Sequence, residues 1–107
     1  MEAQPIMVAG KKRPVKFGFA ALRAFGDETN TSLNDLSAIS EDITMTQAIG
    51  LCWAGLKDGA RSVGEEFNLS LDDVGDLLDE DPDALSSIMN VFADMQAQPK
   101  KSNPKKK

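Results

Sequence analysis

The residues best equipped for chemistry lie in one acidic run, LDDVGDLLDEDPD, from Leu71 to Asp83. Its carboxylates are the hard oxygen ligands that calcium takes. A calcium loop, however, sets its ligands at alternate positions around a central glycine and closes on a glutamate. Here Leu77, Leu78 and Leu85 interrupt the acids at helical spacing, so the carboxylates belong to helix faces and no metal is expected. Other chemistries run out sooner. The chain has no histidine, which removes imidazole zinc sites and Ser-His or Cys-His nucleophile pairs. Its single cysteine, Cys52, excludes an internal disulfide and sits on an apolar helical stripe, where it reads as a small buried hydrophobe. Ser32 and Ser70 read as helix caps, with no base nearby to activate them. Gly55, Gly59 and Gly64 are spaced along a helix instead of forming a phosphate loop after a strand. No catalytic, cofactor or metal residue is assigned, and the chain reads as a non-enzyme.

Hydrophobic display is the feature that remains. Leu85, Ile88, Met89, Phe92 and Met95 recur at steps of three and four near the C-terminal end. Methionine beside an aromatic ring makes an adaptable contact surface. In a domain this small several apolar stripes compete for one core. Leu85, Met89, Phe92 and Met95 are therefore the candidate partner-binding residues, with ordinary core packing as the alternative. Trp53, the only tryptophan, faces the same choice between core and partner.

The elements that position these residues are organised around Met45–Lys57, MTQAIGLCWAGLK. Met45, Ala48, Ile49, Cys52, Trp53 and Leu56 share one helical stripe, and Thr44 is placed to cap the helix. Upstream, Pro5–Val8 and Pro14–Phe17 flank a turn around Ala9–Lys12 and predict a β-hairpin. A first helix follows over Gly18–Phe25, carrying Phe19, Leu22 and Phe25, with Gly26 placed to end it. Ser32 opens a short helix to about Ala38. Beyond Leu56, Gly59 and Gly64 predict a kink or break. Ser70 caps a helix with stripe Leu71, Val74, Leu77 and Leu78; Asp81 caps the last one, with Pro82 at its first position, running to about Gln96. The fold class is mainly α: a small domain of four to six helices with an N-terminal hairpin, spanning residues 1–97, with residues 98–107 a disordered Lys-rich tail.

Composition supports one globular domain. The chain has 107 residues, 41% hydrophobic and 27% charged, and no apolar run approaches the roughly 20 residues of a membrane span. The N-terminus lacks the order of a secretory signal, which points to the cytoplasm. Charge is segregated: residues 1–23 carry +4, residues 24–99 carry −14 and the last eight carry +5. An acidic body repels phosphates and disfavours a nucleic-acid-binding core, and it steers basic partners.

The order of elements ending in VKFGFAALRAF, then SLNDL, LCWAGLK and LSLDDVGDLLDED before a final amphipathic helix resembles the tail assembly chaperones of long-tailed bacteriophages. The resemblance covers residues 6 to about 96 and is carried by Lys16-Phe17, Trp53–Lys57 and Ser70–Leu78. The chain departs from the family in a longer Ala60–Asn68 segment and in its lysine tail. The resemblance implies a chaperone that keeps the tape measure protein soluble and recruits tail tube subunits. It implies action in the host cytoplasm and absence from the finished virion, and it leaves self-association open. It also implies a longer frameshifted form, for which the codons of Lys105–Lys107 are candidates. The rival readings are an acidic DNA mimic or other small inhibitor, carried by the −14 body, and a nucleic-acid accessory protein acting through the lysine tail.

Overall fold

The hairpin hands the chain to a helix that the other elements then enclose. The computed structural model describes residues 2–32 and 43–102. The helix expected to open at Ser32 falls on 33–42, outside the described residues, as does the end of the lysine tail. Strands β1 (Gln4–Val8) and β2 (Lys11–Val15) pair antiparallel, with Val8 opposite Lys11 and Gln4 opposite Val15. Ala9 and Gly10 both have positive φ, 52° and 82°, the backbone of a type I′ turn whose twist matches the strands. The turn is therefore two residues long, and Lys11 and Lys12 belong to β2, not to the longer loop expected over Ala9–Lys12.

Four helices follow among the described residues: α1 (Phe19–Thr29), α2 (Met45–Ser62), α3 (Leu71–Glu80) and α4 (Asp83–Ser102). α1 passes through Gly26, which was expected to end it. The left-handed cap is Asn30, at φ 55°, and Thr31 N–H donates to the Gly26 carbonyl at 3.0 Å. Asparagine takes this conformation readily, so Gly26 keeps a helical backbone and the helix gains a turn. α1 buries Ala21 and Phe25, while Phe19, expected on its apolar face, is 91% exposed.

α2 begins at Thr44 as expected. The Thr44 hydroxyl accepts Gln47 N–H at 3.1 Å and Gln47 Oε1 accepts Thr44 N–H at 3.0 Å, a reciprocal capping box. The helix continues without a break through Gly59 to Ser62. Its burial is not one stripe: Gly50, Leu51, Ala54, Gly55, Asp58 and Gly59 are covered along with Ala48, Cys52 and Leu56. The glycines explain this. A Cβ on Gly50 would meet Thr29 Cγ2 at 2.5 Å, one on Gly55 would overlap the Phe17 ring, and one on Gly59 would overlap the Pro14 carbonyl. α1, the Phe17 ring and β2 thus lie directly on the main chain of α2. Lys16 N–H donates to the Gly55 carbonyl at 3.0 Å.

α3 opens on a second capping box between Ser70 and Asp73, with bonds of 3.1 and 3.0 Å. At the corner leading into α4, the Asp81 carbonyl accepts Ala84 N–H at 3.0 Å. The Asp81 carboxylate reaches back 72 residues to accept Ala9 N–H at 3.0 Å, tying the hairpin turn to the helices. α4 extends to Ser102, past its expected end near Gln96 and into the stretch expected to be disordered; propagating an existing helix adds a hydrogen bond per residue without needing an apolar face. The core gathers Val8, Val15, Phe17, Phe25, Leu51, Val74 and Ile88. Phe17 meets Phe92 edge-to-face, with centroids 5.2 Å apart, a geometry that adds to area burial.

Two glycine substitutions separate tertiary demand from helix propensity. Gly59→Ala is expected to lower stability by about 2 kcal/mol or more, because overpacking against a backbone outweighs the propensity gain. At Gly75 in α3 the nearest atom to a Cβ is Ile49 Cδ1 at 3.9 Å, an ordinary contact. Gly75→Ala is expected to raise stability by roughly 0.5–1 kcal/mol. Urea unfolding midpoints of the two variants check both signs.

Candidate partner-binding groove

The four residues expected to form a partner surface do not form one. Phe92 and Met95 are 4% and 5% exposed and belong to the core. Phe92 packs on Phe17, and the Met95 sulfur accepts Phe17 N–H at 3.2 Å. Leu85 and Met89 are half-buried against the same cluster. The core takes the part of the stripe made by Ile88, Phe92 and Met95, and leaves Leu85 and Met89 at its edge. Trp53 is half-buried as well. Its Nε1–H donates to the Leu69 carbonyl at 2.9 Å and the Lys57 ammonium lies 5.6 Å from the ring centroid, so the indole pins the link between α2 and α3.

The accessible apolar surface is elsewhere. Met45, in the first turn of α2, is 70% exposed. With Ile49 it forms one wall of a groove whose other side is Gly75, Leu78, Pro82 and Leu85. The deeper part holds about 250 Å³. It opens along α3 into a shallower trough of about 710 Å³ edged by Asp72, Asp76 and Asp79. Among the candidate residues only Leu85 lies in this groove. Periodicity places Met45 on the central stripe and Leu78 on the α3 stripe, and stripe counting gives Gly75 no role. A signal existed at Gly75: a glycine inside a well-capped helix, with no turn to make, costs helix stability and asks for a reason.

A second cleft, of about 360 Å³, lies between α1 and α2 beside Trp53. Its lining brings Arg23, Lys57 and Arg61 together with Asp27, Glu28 and Asp58, so its charges offset one another. The groove at Met45 instead joins an apolar floor to charges of one sign. Among the described residues the only ion pair is Arg61 to Asp58, at 2.7 Å, and the groove acids have no cation against them. No group of three or more potential metal ligands occurs among the described residues. No helix among them is long and apolar enough to cross a membrane.

Two buried groups carry structure. Asp58 is 3% exposed; its Oδ2 accepts Gly18 N–H at 3.1 Å and its Oδ1 takes the Arg61 guanidinium. The carboxylate thus holds the entry to α1 against α2. Removing it in Asp58→Ala strands a partly buried N–H and is expected to cost roughly 1–3 kcal/mol. Arg61→Ala leaves the buried Asp58 carboxylate without its cation and is expected to cost roughly 3 kcal/mol, the penalty of an unpaired buried charge. Thermal unfolding of the pair measures the difference.

Cys52 is fully buried, and desolvation pushes its thiol from 9.0 up to about 12. The thiolate is the reactive form, so native protein is expected to resist a thiol reagent at pH 8 and to label only at the rate of opening. The linkage sign follows from the raised folded-state value. The unfolded thiol ionises first, so its contribution to stability is intact below pH 9.0 and declines as pH rises toward about 12. Labelling rates with and without denaturant check the first expectation. Comparison with protein-family models, curated proteins and solved structures finds no match to this chain.

Proposed function

We propose that the chain is a non-catalytic tail assembly chaperone of the long-tailed phage type, acting in the host cytoplasm. It binds the tape measure protein and recruits tail tube subunits. The observation that carries this reading is the groove between Met45, Gly75 and Leu85: an open apolar trough between helices that the chain's own core leaves unfilled among the described residues. A trough between helices accepts the apolar face of another helix, and a tape measure protein is rich in such faces. The acidic body supports solubility while that surface is exposed. A shallow, partly open site gives the weak, reversible contact that suits a factor displaced when tube subunits assemble.

Co-expression with the tape measure and tube proteins encoded beside this gene tests the reading. The tape measure is expected to become soluble and to co-purify with the chain, and Gly75→Leu, which fills the trough, is expected to abolish co-purification while leaving the fold intact. An insoluble tape measure with the chain present, or a gene neighbourhood without tail genes, would overturn it. Sequencing through the Lys105–Lys107 codons shows whether a slippery run leads into an overlapping frame.

A further inference from the structure

We propose that the groove selects amphipathic helices whose apolar stripe is bordered by lysine or arginine, a selectivity that rests on the helix-binding reading above. Two observations converge on it. Asp72, Asp76 and Asp79 follow one another at steps of four and three along α3, which sets their carboxylates in a row beside the apolar floor. No cation pairs with that row among the described residues. A helix lying along α3 with basic residues at the same spacing therefore meets them in register, while an acidic helix is repelled.

Gly75 sits in the middle of this row, and its role differs from that of Gly50, Gly55 and Gly59. Those three lie under neighbouring groups that a Cβ would strike, whereas among the described residues Gly75 has only Ile49 Cδ1 at 3.9 Å. Among the described residues nothing requires a glycine here, and the absent side chain lets an incoming helix lie closer to α3, since interaxial distance depends on the side chains at the contact. Met45 opposite it supplies a flexible, exposed apolar wall that fits helices of differing shape.

The chain's own segments match this description less well. Residues 33–42 carry three acids and no base, and the final KKSNPKKK carries five lysines and no apolar residue. A second copy offers α1, where exposed Phe19 lies one turn from Arg23, and the test below includes it.

The experiment uses the full chain and two fluorescent helical peptides of about 18 residues, long enough to span the trough. Both share one leucine stripe; one is flanked by lysine and the other by glutamate. The lysine peptide is expected to bind at least about tenfold more tightly, with the gap narrowing between about 50 and about 200 mM salt. The double variant Asp76→Asn, Asp79→Asn should erase the gap, while Asp27→Asn with Glu28→Gln, away from the groove, should leave it. Gly75→Leu should remove binding of both peptides without lowering the melting temperature. Equal binding of the two peptides, lost in Gly75→Leu, would overturn the charge selectivity and leave the helix-binding reading standing. Binding that survives Gly75→Leu, or no binding at all, would overturn both. Sedimentation showing a dimer that both Gly75→Leu and Phe19→Ser dissociate would assign the groove to a second copy and overturn the proposal.

Discussion

The structure depends on how closely β2 and Phe17 approach the main chain of α2. Gly59 lets the Pro14 carbonyl lie where a side chain would stand, and Gly55 does the same for the Phe17 ring. A two-stranded hairpin is marginal by itself; here it is laid on a helix and fastened by Lys16 N–H to the Gly55 carbonyl. With the strand that close, Phe17 reaches across to Phe92 and its amide reaches the sulfur of Met95. The burial of α4's apolar stripe is thus a consequence of two absent methyl groups on α2.

Long-range polar ties then hold the remaining freedom. Asp58 joins α2 to the start of α1, Asp81 joins the α3–α4 corner to the hairpin turn, and the Trp53 indole joins α2 to the link before α3. Each pairs a side chain with a backbone group outside regular structure, where an amide or carbonyl lacks a ladder partner. The three ties hold the hairpin and three of the helices in place, and the groove at Met45 inherits its shape from them.

Local features of this fold were legible in the chain and tertiary ones were not. Thr44, Ser70 and the hairpin were readable because capping and turn chemistry are decided within four residues. Gly59 reads as a break because its propensity cost is visible in sequence, whereas the strand that makes it necessary comes from more than forty positions earlier. Gly26 reads as a stop, but Asn30, four residues on, takes the left-handed conformation instead. For Phe92 and Met95, periodicity identified the correct face but not what lies against it. A stripe that packs on Phe17 and a stripe that packs on a partner have the same spacing, and only the approach at Gly55 and Gly59 decides between them. The groove was not legible as a site, because its walls come from two stripes that each read as core.

α3 is where local rules are broken without a return inside the fold. It carries a glycine that no described neighbour requires and like charges at Asp72, Asp76 and Asp79, each adjacent pair destabilising an isolated helix by roughly 0.2–0.5 kcal/mol. Its two-sided capping box and buried Val74 keep it formed despite this. Departures of this kind in an otherwise consistent chain gather where function is built. A basic amphipathic helix seated in the groove would neutralise the row of carboxylates, so the repulsion carried by the free chain would be relieved on binding, while the absence of a side chain at Gly75 would let that helix lie close to α3.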